Sequence, residues 1–126
     1  MTQDPVTTGL AARLEALRQQ IGATWMVGFE NFDGGHPFIE VSEGPVYRLV
    51  ACERGKRLMS KETGKVDEIL YWALYEVTWT MAYGWAVQHP VEGEEQRFTA
   101  FRRQDELLGS LDPRWAERAR ASRPTH

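Results

Sequence analysis

The spacing of apolar residues changes period along this chain, and each change marks an element. Leu10, Leu14, Leu17 and Ile21 recur three or four positions apart and predict a first helix. Thr7 or Thr8 can cap it, and Gly22 suits the position after its C-cap. Thr24 to Phe29 is a short apolar run, either a strand or a core-anchored loop, and residues 30–37 (ENFDGGHP) have the composition of a loop. The period then becomes two. Phe38 to Glu43, Val46 to Arg54 and Arg57 to Glu62 read as three strands, with turns at Gly44-Pro45 and Gly55-Lys56. In the second, Tyr47, Leu49 and Ala51 share one face, and Val46, Arg48, Val50 and Cys52 share the other. Apolar residues on both faces make it the central strand.

Ile69 to Val87 has no polar face. Three of the five tryptophans (Trp72, Trp79, Trp85) lie in it with Tyr71, Tyr75 and Tyr83, and Glu76 is its one formal charge. Such a helix either crosses a membrane or forms the centre of a core. A carboxylate near the middle and aromatics spread along the length, rather than banded at two interfaces, favour the core. The helix is expected from about Lys65 to His89, with Asp67 and Glu68 in its first turn and Pro90 ending it. A third helix follows over about Glu94 to Leu108, stopped by Gly109 and packed antiparallel on the second. Asp112 caps a fourth, with Pro113 at its first position and Trp115 as anchor. Residues 1–6 and 122–126 read as frayed ends. The expected fold is α+β: a small antiparallel sheet of three or four strands packed on a long aromatic-rich central helix with three further helices, as one domain over 1–126.

Composition narrows the function. A net charge of -3 over 126 residues gives no broad basic surface, which argues against nucleic-acid binding. The single Cys52 excludes an internal disulfide and a multi-cysteine zinc site, and reads as a buried inert thiol. The first residues lack a charged segment followed by an apolar run, so the simplest location is the cytoplasm.

Catalytic constellations are missing: no nucleophile elbow, P-loop, dinucleotide fingerprint or histidine pair stands in the chain, and no cofactor or metal is expected. His36, His89 and His126 are isolated; His89 closes a helix, and His36 sits in a loop. Glu76 must be paired or neutralised if buried. On the third helix Arg97, Phe101, Gln104 and Leu108 share one face by spacing, which points Arg97 inward towards Glu76 or Glu53. That arrangement is either a structural network between helices, a general acid with a raised pKa, or a contact to a partner. Glu30, Asp33, Glu40 and Glu43 place four carboxylates in residues 30–43 without a lysine or arginine. They form a solvated face or a docking surface for a basic partner, with Trp25, Phe29 and Phe32 as candidate anchors.

Three stretches resemble an immunity-protein family of bacterial polymorphic-toxin systems, the one numbered sixty-three. They are Glu53-Arg54-Gly55; Asp67 with Ile69-Leu70-Tyr71-Trp72; and Glu92-Gly93 followed by Arg97, Phe101, Gln104, Glu106-Leu107-Leu108 and Trp115-Ala116-Glu117-Arg118. The likeness spans about residues 45–120. It departs at His89-Pro90-Val91, Gln96 and Phe98, and does not reach the first 44 residues. The resemblance implies a non-enzymatic protein, monomer or homodimer, that binds a toxin and blocks it in the producing cell. Glu53, Arg54, Gly55, Glu76, Arg97 and Gln104 would then be structural. The alternatives are a small enzyme using Glu76 or His36, with a polar cleft around Glu76 and Arg97, and an adaptor or membrane-associated helix.

Overall fold

A computed structural model describes residues 4–123. Its elements are α1 (Pro5–Ile21), β1 (Gly34–Ser42), β2 (Val46–Glu53), β3 (Lys56–Thr63), α2 (Val66–Gln88), α3 (Gln96–Leu111) and α4 (Pro113–Ser122). The strands form one antiparallel sheet in the order β1-β2-β3, so the strand with apolar residues on both faces is the middle one.

Helix starts follow capping chemistry. Asp4, not Thr7 or Thr8, caps α1: its carboxylate accepts from the Thr7 amide at 3.0 Å and the Thr7 hydroxyl at 2.8 Å, and Pro5 supplies the first helical residue. Residues 5 and 6 are therefore helical rather than frayed; residues 1–3 lie outside the described residues. Gly22 closes α1 in the left-handed conformation, as its sequence position suggests. Asp112 caps α4 through the Arg114 amide at 2.9 Å.

Two boundaries depart from the sequence pattern. β1 begins at Gly34, inside the segment read as loop, because an irregularity between Gly34 and Pro37 lets the chain pair with β2 while accommodating the proline. Gly109 does not stop α3. It lies inside the helix, where a Cβ would stand 3.5 Å from the Ala116 Cβ of α4. The β2–β3 turn is a two-residue loop, Arg54-Gly55, with φ of 53° and 76°, the pair of left-handed residues that a tight hairpin requires. The segment between α1 and β1 is a core-anchored loop: Val27 is buried, and the Gly28 carbonyl accepts from the Ile39 amide at 2.9 Å.

The main core lies between the inner sheet face and the helices. Ile39, Tyr47 and Leu49 meet Ile69, Leu70, Ala73, Leu74 and Val77 of α2, with Leu10 and Leu14 of α1, Leu108 of α3 and Trp115 of α4 around them. The α2–α3 pairing is antiparallel: Ala100 packs with Ala82 and Ala86, Phe101 with Trp79, and Gln104 with Thr78 and Tyr75. No helix among the described residues is long and apolar enough to cross a membrane. The tryptophans of α2 are not its core. Aliphatic and small residues occupy the buried positions, and Trp72, Trp79 and Trp85 lie half-buried at the rims. There an indole covers apolar surface while its polar edge stays near water.

Among the described residues, no helix packs on the outer sheet face. Phe38, Val50 and Cys52 make a small separate core there, and Val50 is fully buried. Arginine side chains cover it. Arg57 of β3 reaches past β2 to Glu40 of β1 at 3.2 Å, and Arg48 bonds Glu62 at 2.9 Å. The apolar stems of such arms shield what lies below them while their charged ends stay wet.

Candidate functional site

The four acidic residues of segment 30–43 do not gather. Glu30 lies in the loop two residues past Gly28, which bridges Phe38 in mid-strand, whereas Asp33 stands just before β1, Glu40 within it and Glu43 just after it. Two of the carboxylates have internal partners. Asp33, itself at a positive φ of 55°, accepts the Gly55 amide with both oxygens at 2.9 Å and ties the start of β1 to the β2–β3 hairpin. Glu40 holds Arg57. Glu30, in the loop before β1, and Glu43, in the turn after it, are exposed. Of the candidate anchors, Phe32 is 77% exposed, while Trp25 and Phe29 pack partly against the core. Two concavities flank this edge. One of about 580 Å³ is lined by Phe29, Asn31, Glu40 and Arg48, and one of about 440 Å³ by Asp4, Glu43 and Pro45.

Gln104, by contrast, is fully buried and central to a polar network. Its Nε2 donates to the Tyr75 carbonyl at 3.0 Å and the Thr78 hydroxyl at 3.2 Å, and its Oε1 accepts from Arg123 Nη2 at 2.6 Å. Thr78 donates its own proton to the Leu74 carbonyl at 2.6 Å. Arg123 also bonds Asp105 at 2.6 Å and lies over the Phe101 ring at 4.7 Å. Residues 122 and 123 are thus part of the packed structure, not a tail; residues 124–126, with His126, lie outside the described residues. Sequence reasoning missed Arg123 because a basic residue after the last helical turn is usually solvated.

Arg97 is not in that network. It is exposed, bonds Glu95 at 3.0 Å and stacks on Phe98 at 4.8 Å. Helix α3 meets α2 along Ala100, Phe101, Gln104 and Leu108, and Arg97 lies one turn beyond the end of that seam. No ion pair joins it to Glu76 or Glu53. The cleft imagined around Glu76 and Arg97 therefore lacks its arginine. Glu53 and Arg54 are exposed at the hairpin, where Arg54 and Gly55 serve the turn itself.

Glu76 lies in a different cleft, of about 230 Å³, between α2, α4 and the edge of β3. Lys61, Tyr71, Trp72, Tyr75 and Arg118 line it with Glu76. Burial pushes the Glu76 carboxyl above its usual range, and the charge of Lys61 partly opposes that rise. Burial likewise raises Tyr71. Glu68, bonded to Arg118 at 2.9 Å, is held below the usual range by the Thr63 hydroxyl and then by Arg118. Trp115 backs the cleft behind Tyr71, and its indole N–H is buried without an acceptor among the described residues. No group of residues suited to hold a metal ion stands among the described residues. His89 closes α2, its Nδ1 hydrogen-bonded to the Trp85 carbonyl at 2.8 Å and its ring stacked on that indole. His36 is exposed on β1, and Cys52 is a buried free thiol.

Parts of two resemblance-bearing stretches thus meet in space: Tyr71 and Trp72 from α2, Trp115 and Arg118 from α4. The family model of Immunity protein 63 matches residues 43–124. The chain belongs to the immunity protein 63 family. The match takes in β2, β3 and α2 to α4, so the framework of this immunity-family fold includes the Glu76 cleft and the Gln104 network. Helix α1, the loop carrying Trp25, Glu30 and Phe32, and β1 with Glu40 precede it; Glu43 is its first residue. No curated protein and no solved structure shows a significant match to the chain.

Proposed function

We propose that this immunity-family protein binds a toxin made by the same bacterium and neutralises it in the cytoplasm of the producing cell, by occupying it rather than by catalysis. Family membership over residues 43–124 carries the reading. The proposed contact surface is the β1 edge and the loop before it, with Glu30, Glu43 and Phe32 as direct contacts and Trp25, partly buried against the core, as a supporting one. Three observations support that placement. Phe32 offers a large apolar side chain to solvent, of the kind that anchors interfaces. Beyond its bridge to Gly28, the outer edge of β1 has no strand beside it among the described residues, which leaves an edge that a partner could extend. The surface also precedes the residues matched by the family model, except for Glu43.

Asp33 and Glu40 belong to the proposed surface as well, but reversing their charge would break the hairpin tie and the Arg57 pair. The decisive variant is therefore Phe32→Ala with Glu30→Lys and Glu43→Lys. In cells producing the neighbouring toxin gene's product, this triple variant is expected to lose protection while the purified protein keeps its unfolding midpoint. Full protection by the folded variant would move the interface elsewhere.

A further inference from the structure

The cleft between α2, α4 and β3 repeats one arrangement and leaves it unfilled once. Tyr71 has the Arg118 guanidinium over its ring at 4.2 Å, and Arg118 bonds the Glu68 carboxylate. Trp72 has the Lys61 ammonium over its ring at 4.7 Å. The third ring, Tyr75, stands 6.0 Å from Tyr71 with no cation over it among the described residues. The second carboxylate, Glu76, adjoins Tyr75 in sequence and in the cleft wall, and its side chain takes no hydrogen bond or ion pair among those residues. A carboxylate drawn half out of water without a donor costs free energy until one arrives.

We propose that Tyr75 and Glu76 receive an arginine side chain of a protein partner, its planar guanidinium lying on the Tyr75 ring and donating to the Glu76 carboxylate. Three features favour arginine. The guanidinium is weakly hydrated, stacks on aromatic faces and forks onto a carboxylate, which an ammonium does not do equally well. A cleft of about 230 Å³ accommodates the head and part of its stem. Lys61 lies close enough to act on Glu76 electrostatically yet forms no bond to it, and would swing aside as the guanidinium enters. The site is on the opposite sheet edge from Phe32. It rests on the partner-binding reading only for the source of the arginine; the binding chemistry stands on the cleft itself.

The test is an NMR titration of the intact chain with capped arginine (N-acetyl-arginine amide), read at the Trp72 indole N–H and the amides of residues 72–76. Saturable shifts are expected in the native protein. Glu76→Gln, checked for its fold by circular dichroism, should bind about tenfold more weakly or worse, the loss of one charge-assisted bond. Lys61→Met, which leaves Glu76 untouched, should bind more tightly because a competing cation is gone. Capped lysine and spermidine should bind less well than capped arginine. Absence of saturable shifts, equal affinity in Glu76→Gln, or weaker binding by Lys61→Met would each overturn the site. Tightest binding by spermidine would overturn the protein side chain and assign the cleft to free polyamines. None of these outcomes depends on the toxin protection assay, so the two readings fail separately.

Discussion

Replacing Arg123 by methionine isolates the contribution of the last described residue. The Arg123 side chain is 8% exposed and that of Asp105, its partner, 17%. The change removes the 2.6 Å bonds to Asp105 and to Gln104 and the guanidinium over the Phe101 ring, keeps an unbranched apolar side chain in its place, and leaves a shielded carboxylate alone. Removing one partner of a buried pair costs about 3–5 kcal/mol. Two effects lower that figure here. Asp105 retains some water, and the Arg123 Nε–H, buried without an acceptor, disappears with the side chain. The expected loss is about 2–3 kcal/mol, a large part of the ~5–15 kcal/mol by which ordinary domains are stable. Urea unfolding followed by tryptophan fluorescence measures it, provided the slope with denaturant is unchanged. Adding Asp105→Asn should restore about 1 kcal/mol or more, because the stranded charge is then gone. A single variant within about 0.5 kcal/mol of the native protein, or a double variant no more stable than the single, would refute the network as a stabilising unit.

Two further outcomes follow from the same geometry. Gly109→Ala should raise stability by up to about 1 kcal/mol in the same unfolding assay, since the new methyl meets Ala116 at ordinary contact distance and the helix gains a better former. Glu76 makes the pH dependence specific. Its folded-state value lies above the ordinary 4.5, so ionisation opposes folding. Any penalty is absent below pH 4.5 and grows as pH rises through the raised value. Thermal midpoints of the native protein and Glu76→Gln should therefore agree near pH 4 and diverge in favour of the variant towards pH 7, if measured without cationic ligand; parallel curves would show that burial does not perturb the carboxyl.

The strands were legible because their two-residue period and the turn residues agree, and the capped, proline-started α4 was legible for the same local reason. β1 was shortened because Gly34, Gly35 and Pro37 carry loop composition, and only pairing to β2 makes them strand. Gly109 does not stop α3 because the helix runs on to Leu111, and the break comes where Asp112 and Pro113 start α4. The long helix stands where its apolar run places it, with its tryptophans at the rims and its aliphatic and small residues at the centre. Hydrophobicity ranks a residue without saying which side of a helix its neighbours will cover. Among site residues, Gln104 was correctly assigned inward by spacing from Phe101 and Leu108. The same spacing failed for Arg97, because the α2–α3 seam ends a turn earlier. The Glu76 cleft was only half legible, since Lys61 and Arg118 reach it from 15 positions before and 42 after.

The Arg57–Glu40 and Arg48–Glu62 pairs have a consequence for life in a crowded cell. Phe38 and Val50 sit on the bare side of a sheet, where greasy strands invite indiscriminate sticking. Guanidinium arms laid across them turn that side into a hydrated, sign-balanced tile. Such a tile keeps the sheet from pairing face to face with stray apolar surfaces, so the protein can stay dispersed at high concentration without a helix to roof that side.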